Sequence, residues 1–176
     1  YQSLVEGSPN GVMLFNREGK CQSANTASTS LFGLDKEQLI GRNITSFWKD
    51  SNLLIIEKGL VRLEASGVSQ FQIDYRSPDG DEKTFEIVLC PVVGPETIKG
   101  AFVATVADIT ARKLAETALR ESELKFKTIF DNASDGILLT CAGLLVDSNE
   151  RAVSMFGYHQ EQLANRWPQA VSPELQ

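Results

Sequence analysis

The 176-residue sequence predicts an α+β fold, in which short helices pack against an antiparallel β-sheet. Apolar and polar residues alternate over Gln70–Tyr75 and again over Phe85–Leu89, which is the period of a β-strand. Ser51–Ser66 instead carries its apolar residues at mostly helical spacing. The opening segment of the chain also recurs from Phe126 onward, so the sequence contains the beginning of a second copy of the same unit.

This internal repeat predicts the domain organisation. Equivalent glycine, asparagine and Phe-Gly positions form the pairs Gly11 and Gly136, Gly19 and Gly143, Asn25 and Asn149, and Phe32-Gly33 and Phe156-Gly157. The repeat unit is about 125 residues long, which is the size of a domain and not of a solenoid turn. We therefore expect a complete domain over residues 1–110, a helical linker over 111–130, and the incomplete N-terminal part of a second domain over 131–176.

The first half of the complete domain predicts two strands and two short helices. Gly11–Asn16 is an apolar run closed by a turn, and Lys20–Ala24 follows as the second arm of a hairpin. Helices are expected over Asn25–Gly33 and Asp35–Gly41. Each opens on a residue that can cap free backbone amides and closes on a glycine.

The second half predicts one longer helix and a three-strand meander. The helix covers Ser51–Ser66, and the first strand begins at Gln70. Pro78–Asp81 turns the chain into a second strand that contains Phe85–Leu89. Gly100–Val106 is apolar enough to be a central strand of the same sheet.

The composition changes abruptly after Asp108, where strong helix formers continue without Gly or Pro to Phe130. Thr110 is a natural N-cap for this helix. Several Glu and Lys or Arg pairs at i and i+4 support it by about 0.2–0.5 kcal/mol each. A weak coiled-coil seam, hereafter the linker seam, consists of Ala115, Leu119, Ser122, Phe126 and Ile129.

Local motifs in this order resemble the PAS family of sensory domains. Phe130–Leu139 is similar to the usual start of a PAS domain, and Ser8–Gly11 is its counterpart in the first copy. The most specific motif is Asp108–Lys113, which resembles the D-I-T-x-R-K sequence that closes a PAS core and starts the connecting helix. Glu116 and Leu119–Glu123 match the usual continuation of that helix. The resemblance covers essentially the whole chain.

The resemblance implies a five-stranded antiparallel sheet with helices on one face and a pocket between them. It implies a sensory and signal-relay module of a multidomain signalling protein, of the sensor histidine kinase or cyclic-dinucleotide cyclase or phosphodiesterase type. It also implies a homodimer formed through the linker helix or the sheet face. Asp108 and Thr110 lie where the last strand becomes the linker helix, and we expect them to relay the signal.

Net charge, cysteine usage and the length of apolar runs limit the partners and the cellular location to be expected. A net charge of -6 and a pI near 4.9 argue against a nucleic-acid surface, which needs clustered Lys and Arg. Cys21, Cys90 and Cys141 lack metal-binding spacing and are expected to be free thiols, which suits the cytoplasm. Apolar runs are too short to span a membrane, so we expect no membrane contact by this part of the chain.

Candidate ligand sites are few, and no metal site is expected. The light-sensing branch of the family carries a reactive Cys in a G-R-N-C motif, but this chain has Ile44 at that position and cannot form a flavin adduct there. The single histidine, His159, lies in a polar connection and is a poor haem ligand. A bound cofactor is not required, but noncovalent flavin, placed ahead of haem, or a small metabolite remains open.

An apolar pocket is the candidate site for such a ligand. Its candidate lining residues are Trp48, Leu54, Phe71, Ile73, Tyr75, Ile87 and Leu89. The same side chains also suit an ordinary packed core, and that interpretation is favoured. The complete domain contains no His that could act as a general base and no phosphate-binding glycine pattern, so the chain is not expected to be an enzyme.

Overall fold

The structure is a computed structural model that describes residues 2–48, 50–77, 80–92, 100–142 and 144–157. These residues belong to two compact units, residues 1–114 and residues 115–176. His159 and the predicted turn residues Pro78 and Asp79 lie outside the described residues.

The first unit contains one five-stranded antiparallel sheet. Its strands are β1 (Gly11–Phe15), β2 (Cys21–Ala24), β3 (Ser69–Arg76), β4 (Glu82–Pro91) and β5 (Phe102–Asp108). They lie in the order β2-β1-β5-β4-β3, so the last strand of the chain is the centre of the sheet and pairs with both β1 and β4. The predicted α+β class and the five-stranded antiparallel sheet are confirmed.

One helix precedes β1, and the other helical segments of this unit connect β2 to β3. In chain order the helical segments are α1 (Gln2–Glu6), α2 (Thr26–Phe32), α3 (Lys36–Leu39), a 3₁₀ turn (Ile44–Phe47) and α4 (Asp50–Ser66). The inward faces of the segments from α2 to α4 and of the sheet form one hydrophobic core.

The predicted capping residues act as the sequence suggests. The Asn25 side chain accepts a hydrogen bond from the Ser28 amide at the start of α2, and Gly33 ends that helix with a left-handed φ of 64°. Asp35 and Gln38 form a capping box at α3. Gly41, at φ 77°, then turns the chain back toward the sheet.

A short backbone segment covers the β2 edge of the sheet. The Gly41 amide donates to the Cys21 carbonyl at 2.7 Å, and the Cys21 amide donates to the Arg42 carbonyl at 2.9 Å. Asn43 forms an isolated bridge with Lys20, and its side chain donates to the Glu18 carbonyl. This pairing satisfies backbone groups that an open edge strand would expose.

Phe32 is the centre of the aromatic part of the core. Its fully buried ring contacts four other rings at centroid distances of 5.2–5.8 Å, those of Phe47, Trp48, Tyr75 and Phe85. Most of these contacts are edge-to-face or tilted, the favoured geometries for aromatic pairs. The last residue of α2 therefore joins the 3₁₀ turn to strands β3 and β4.

The second unit begins with most of a long helix. Helix α5 covers Thr110–Asp131, so it starts in the first unit and continues into the second. It is followed by β6 (Leu138–Cys141), β7 (Leu144–Ser148) and α6 (Glu150–Phe156). β6 and β7 pair as an antiparallel hairpin, and Asn149 caps α6 as Asn25 caps α2.

Gly59 lies in the middle of α4, where the helix backbone packs closely against Phe71 of β3. A Cβ atom at this position would overlap the Phe71 ring. We predict that Gly59→Ala lowers the free energy of unfolding by about 1–2 kcal/mol, because overpacking outweighs the gain in helix propensity. Urea unfolding measures the loss.

Two further variants isolate that contact. Lys58→Ala changes the exposed neighbour in the same helix and should alter stability by less than about 0.5 kcal/mol. Adding Phe71→Leu to Gly59→Ala shortens the side chain that the new methyl group meets, and should recover part of the loss. Equal stabilities for Gly59→Ala and the wild type would contradict the close approach.

Candidate functional site

The junction between β5 and α5 is held by a compact hydrogen-bond network, hereafter the junction network. The Asp108 carboxylate accepts hydrogen bonds from the Thr110 amide at 2.9 Å and from the Thr110 hydroxyl at 2.5 Å. The same hydroxyl accepts from the Thr84 amide at 2.9 Å, and the Ile109 amide donates to the Thr84 carbonyl at 2.9 Å. Both backbone groups of Thr84 are thus bonded to the start of the linker helix.

The junction network extends across the sheet. The Thr84 hydroxyl donates to the Asp74 carboxylate at 3.0 Å, which reaches the edge strand β3. Arg112, in the first turn of α5, forms an ion pair with Glu86 of β4 at 3.7 Å. Three neighbouring strands therefore contact one another and the helix start through polar side chains.

Thr110 has a different role from the predicted N-cap. Its hydroxyl binds Thr84, in strand β4, and Asp108 instead of a helix amide, and the first helical hydrogen bond runs from the Lys113 amide to the Ile109 carbonyl. Because Thr84 is distant in sequence, local motif reasoning did not identify it. Thr110 therefore connects the sheet to the helix and does not cap the helix.

The five linker-seam residues are all exposed within the chain. The exposed fractions of the largest side chains are 62% for Leu119, 54% for Phe126 and 64% for Ile129. Two more leucines of α5, Leu114 and Leu124, are also exposed but lie off the seam. The helix carries more apolar surface than its own unit covers.

Four of the candidate pocket residues are buried in the core, namely Trp48, Ile73, Ile87 and Leu89. Phe71 and Tyr75 are half-buried and pack against them. The prediction placed Leu54 in this group, but its side chain is 58% exposed, because Ile56 and Leu63 take the inward positions of α4. Leu54 therefore faces solvent instead of the core.

Two polar groups lie within the aromatic cluster. The Tyr75 hydroxyl donates to the Phe32 carbonyl at 3.1 Å, so the polar group of this candidate pocket residue already has a protein partner. Burial raises the pKa of Tyr75, and the nearby Arg42 guanidinium opposes that change. The Trp48 Nε1–H is different, because it is buried and has no hydrogen-bond partner among the described residues. An unpaired buried donor costs about 1–3 kcal/mol, so Trp48 favours a further acceptor at this position.

Groups that bind metals or attack substrates are scarce. Among the described residues, no cluster of three His, Cys, Asp or Glu side chains is arranged to hold a metal ion. The buried thiol of Cys21 has a pKa raised by burial, which disfavours the reactive thiolate. Within the same described ranges, no helix is both long and apolar enough to cross a membrane.

Asn25 and Asn149 have a second role that sequence reasoning missed. Asn25 was expected to open a helix and Asn149 is its equivalent in the repeat, and each caps the helix that follows it. Their side-chain amides also donate to the backbone of the preceding helix, at Val5 and Phe130 respectively. The only available signal was the repetition of Asn at equivalent positions.

Comparison with known proteins gives two adjacent family matches. A family model described as PAS fold matches residues 5–114, and a second model described as PAS domain matches residues 124–175. The first match includes the whole sheet and the junction network. The second includes the end of α5, the β6–β7 hairpin and α6.

Relatives and solved structures agree with these matches. The chain is 24% identical to sporulation kinase E and 25% identical to sporulation kinase A of Bacillus subtilis (strain 168), each over 89% of this chain. It spans only 21% and 26% of those two proteins. A crystallised PAS domain from Colwellia psychrerythraea matches with a TM-score of 0.57 at 20% identity, covering 62% of this chain and 94% of that domain.

Proposed function

We propose, since this chain belongs to the PAS family of sensory domains, that it relays a signal from its first domain through α5 to a second PAS domain. The junction network is the observation that carries this proposal. It links β3, β4 and β5 to the first turn of α5 through the Asp108, Thr110 and Thr84 contacts. A change in strand position would thereby change the orientation of the helix.

The proposed organisation places two PAS domains in series. The first comprises residues 1–110, the linker residues 111–130, and the second begins at residue 131. The second family match and the hairpin followed by an Asn-capped helix support this arrangement. Similarity to two sporulation kinases supports an output of the sensor histidine kinase type, and a cyclic-dinucleotide cyclase or phosphodiesterase is the other candidate.

We assign the chain itself no catalytic role and place it in the cytoplasm. Its three cysteines are all free thiols, which suits a reducing compartment. Catalysis would belong to an output domain in the same protein. Nucleic acid is not among the proposed partners, given the net charge of -6.

Pairing of linker helices from two chains would make the relay a two-state element. A single exposed helix has no alternative packing to switch between, whereas a helix pair can change register or rotation. The exposed linker seam supports pairing, because its spacings of four and three place the apolar residues on one stripe. The outer sheet face is the other candidate surface for a homodimer.

The relay is tested by removing one hydroxyl group from the junction. Thr110→Val keeps the shape of the side chain but removes the hydroxyl bonds to Thr84 and Asp108, and it leaves the bond from the Thr110 amide to Asp108 in place. In a full-length protein that contains this chain, we expect the ratio of stimulated to basal output to fall about fivefold or more. A fivefold change corresponds to the lower end of typical coupling free energies. Asp108→Ala should also lower this ratio, because it removes the carboxylate that accepts both hydrogen bonds from Thr110.

Thr110→Ser is the matched control, since it retains the hydroxyl and should retain the response. Thermal unfolding of each variant checks that the sheet is intact. An unchanged output ratio in a folded Thr110→Val or Asp108→Ala protein would refute the relay.

Placing a charged side chain in the linker seam tests whether two chains pair through it. We expect Leu119→Glu to weaken self-association at least tenfold in sedimentation equilibrium, because a carboxylate cannot be buried in a coiled-coil seam without a large cost. Leu124→Glu is the control, since Leu124 is equally exposed on the same helix but lies off the seam. Unchanged self-association in both variants would point to the sheet face as the dimer surface.

The alternative function is a cofactor-dependent redox or metabolite sensor. The Trp48 Nε1–H supports it, since this buried donor has no partner in the part of the chain that the structure describes, and a ligand with an acceptor atom would remove its cost. Trp48 contacts Phe32, Tyr75 and Phe85, so such a ligand would act directly on the centre of the core. Noncovalent flavin, ahead of haem, or a small metabolite is the proposed occupant.

Trp48→Phe separates the two functions. If a ligand accepts the indole N–H, the purified protein carries it into a denatured extract, and Trp48→Phe reduces its amount severalfold. Visible absorption identifies flavin or haem, and mass spectrometry identifies a colourless compound. If the domain works without a ligand, the extract contains none and Trp48→Phe is neutral or stabilising, since it removes an unpaired donor.

A further inference from the structure

Each copy of the repeat contains one buried asparagine whose carboxamide joins the helix before it to the helix after it. In both, the side-chain oxygen accepts from the amide at the start of the following helix, Ser28 in one and Ala152 in the other. In both, the side-chain nitrogen donates to a carbonyl of the preceding helix. The two asparagines are essentially inaccessible to solvent.

In the first copy the preceding helix is α1. The Asn25 Nδ2 donates to the Val5 carbonyl at 2.8 Å and to the Asn10 carbonyl at 3.0 Å. Its Oδ1 accepts from the Val12 amide at 2.9 Å as well as from Ser28. One side chain therefore fixes α1, the start of β1 and the start of α2 together.

In the second copy the preceding helix is the linker α5. The Asn149 Nδ2 donates to the Phe130 carbonyl at 2.9 Å and to the Asp135 carbonyl at 2.9 Å. Its Oδ1 accepts from the Ile137 amide at 2.8 Å and from the Ala152 amide at 2.9 Å. Phe130 is one residue from the end of α5, so the bond holds the last turn of the linker.

We propose that Asn149 is the positioning residue that receives the linker helix in the second copy, and that Asn25 does the same for the helix that enters the first. This inference rests on the proposed relay, because Asn149 would hold the end of α5 that lies opposite the junction network. The junction network anchors α5 at Thr110, and Asn149 anchors it at Phe130. A movement of α5 is thereby delivered to β6 and α6.

The physical basis is that a buried carboxamide cannot lose its partners cheaply. If the last turn of α5 moves away, the Phe130 carbonyl and one N–H of the Asn149 carboxamide are left unpaired in a region closed to water. The lower-cost response is for Asn149 to follow, and its oxygen then carries the amides of Ile137 and Ala152 with it. The same reasoning applies to Asn25 and α1.

Aspartate separates this role from ordinary helix capping. Asn149→Asp retains an oxygen that can accept from Ile137 and Ala152, and Asp caps helices as well as Asn. It lacks the Nδ2 donors, however, and sets a carboxylate oxygen against the Phe130 and Asp135 carbonyls. Asn25→Asp makes the same change in the first copy.

Amide hydrogen exchange of the 176-residue chain tests the inference. We expect Asn149→Asp to accelerate exchange about tenfold at residues 128–131, the last turn of α5, while the Ala152 and Val153 amides stay protected. Asn25→Asp should accelerate exchange at Gly7 and Ser8, which follow α1, and leave the Ser28 amide protected. Neither variant should alter the other copy's entering helix.

Ser28→Ala is the matched control. It removes a hydroxyl that bonds to the Asn25 oxygen, leaves the donors in place, and reproduces the Ala152 of the second copy. The turn after α1 should stay as protected in this variant as in the wild type. If Ser28→Ala and Asn25→Asp loosen it equally, capping alone explains the conservation of the residue type between copies, and the positioning role is refuted.

A measurement on the wild type covers the case in which an aspartate variant fails to fold. Scalar coupling across the hydrogen bond, from the Asn Nδ2 to the carbonyl carbon of Val5 or Phe130, detects each donor bond directly by NMR. Its presence supports the inference, and its absence in the folded complete domain at Asn25 overturns it. The outcome is independent of the relay, which depends on the output of Thr110→Val.

Discussion

The buried carboxamide of Asn25 is the constraint around which the first domain is organised. A primary amide closed off from water must satisfy its two donors and its acceptor oxygen, and here α1, β1 and α2 supply the partners. These elements cannot shift separately without leaving a polar group unpaired. Since α2 ends at Phe32, the same constraint sets the position of the central ring in the aromatic core.

The strand order determines which strand of the sheet is connected to the linker helix. β5 is the central strand and continues directly into α5, so the linker is attached to the middle of the sheet. The junction network adds β4 and β3 through Thr84 and Asp74. A helix attached to an edge strand would respond to one neighbour only, whereas α5 is coupled to the pairing of three strands.

Local signals in the sequence predicted the elements well, and contacts between distant residues explain what they missed. Asn25, Gly33 and Asp35 predict helix ends correctly because capping depends on residues only a few positions apart. Local signals could not predict the inward face of α4, since its apolar residues fit more than one helical stripe. In the structure Leu54 is exposed and Ile56 is buried. Thr84 carried no local signal, because its role depends on the pairing of β4 with β5.

The aromatic core and the junction network meet on one strand, which joins the two proposed functions. Tyr75 binds the Phe32 carbonyl and contacts Trp48 on the core side of β3, while its neighbour Asp74 binds the Thr84 hydroxyl. A ligand that accepted the Trp48 N–H would therefore act on rings in direct contact with β3. From Asp74 the contacts continue through Thr84 to Thr110, where the linker begins. Without a ligand, the proposed relay would use the same contiguous contacts to transmit a change in sheet packing.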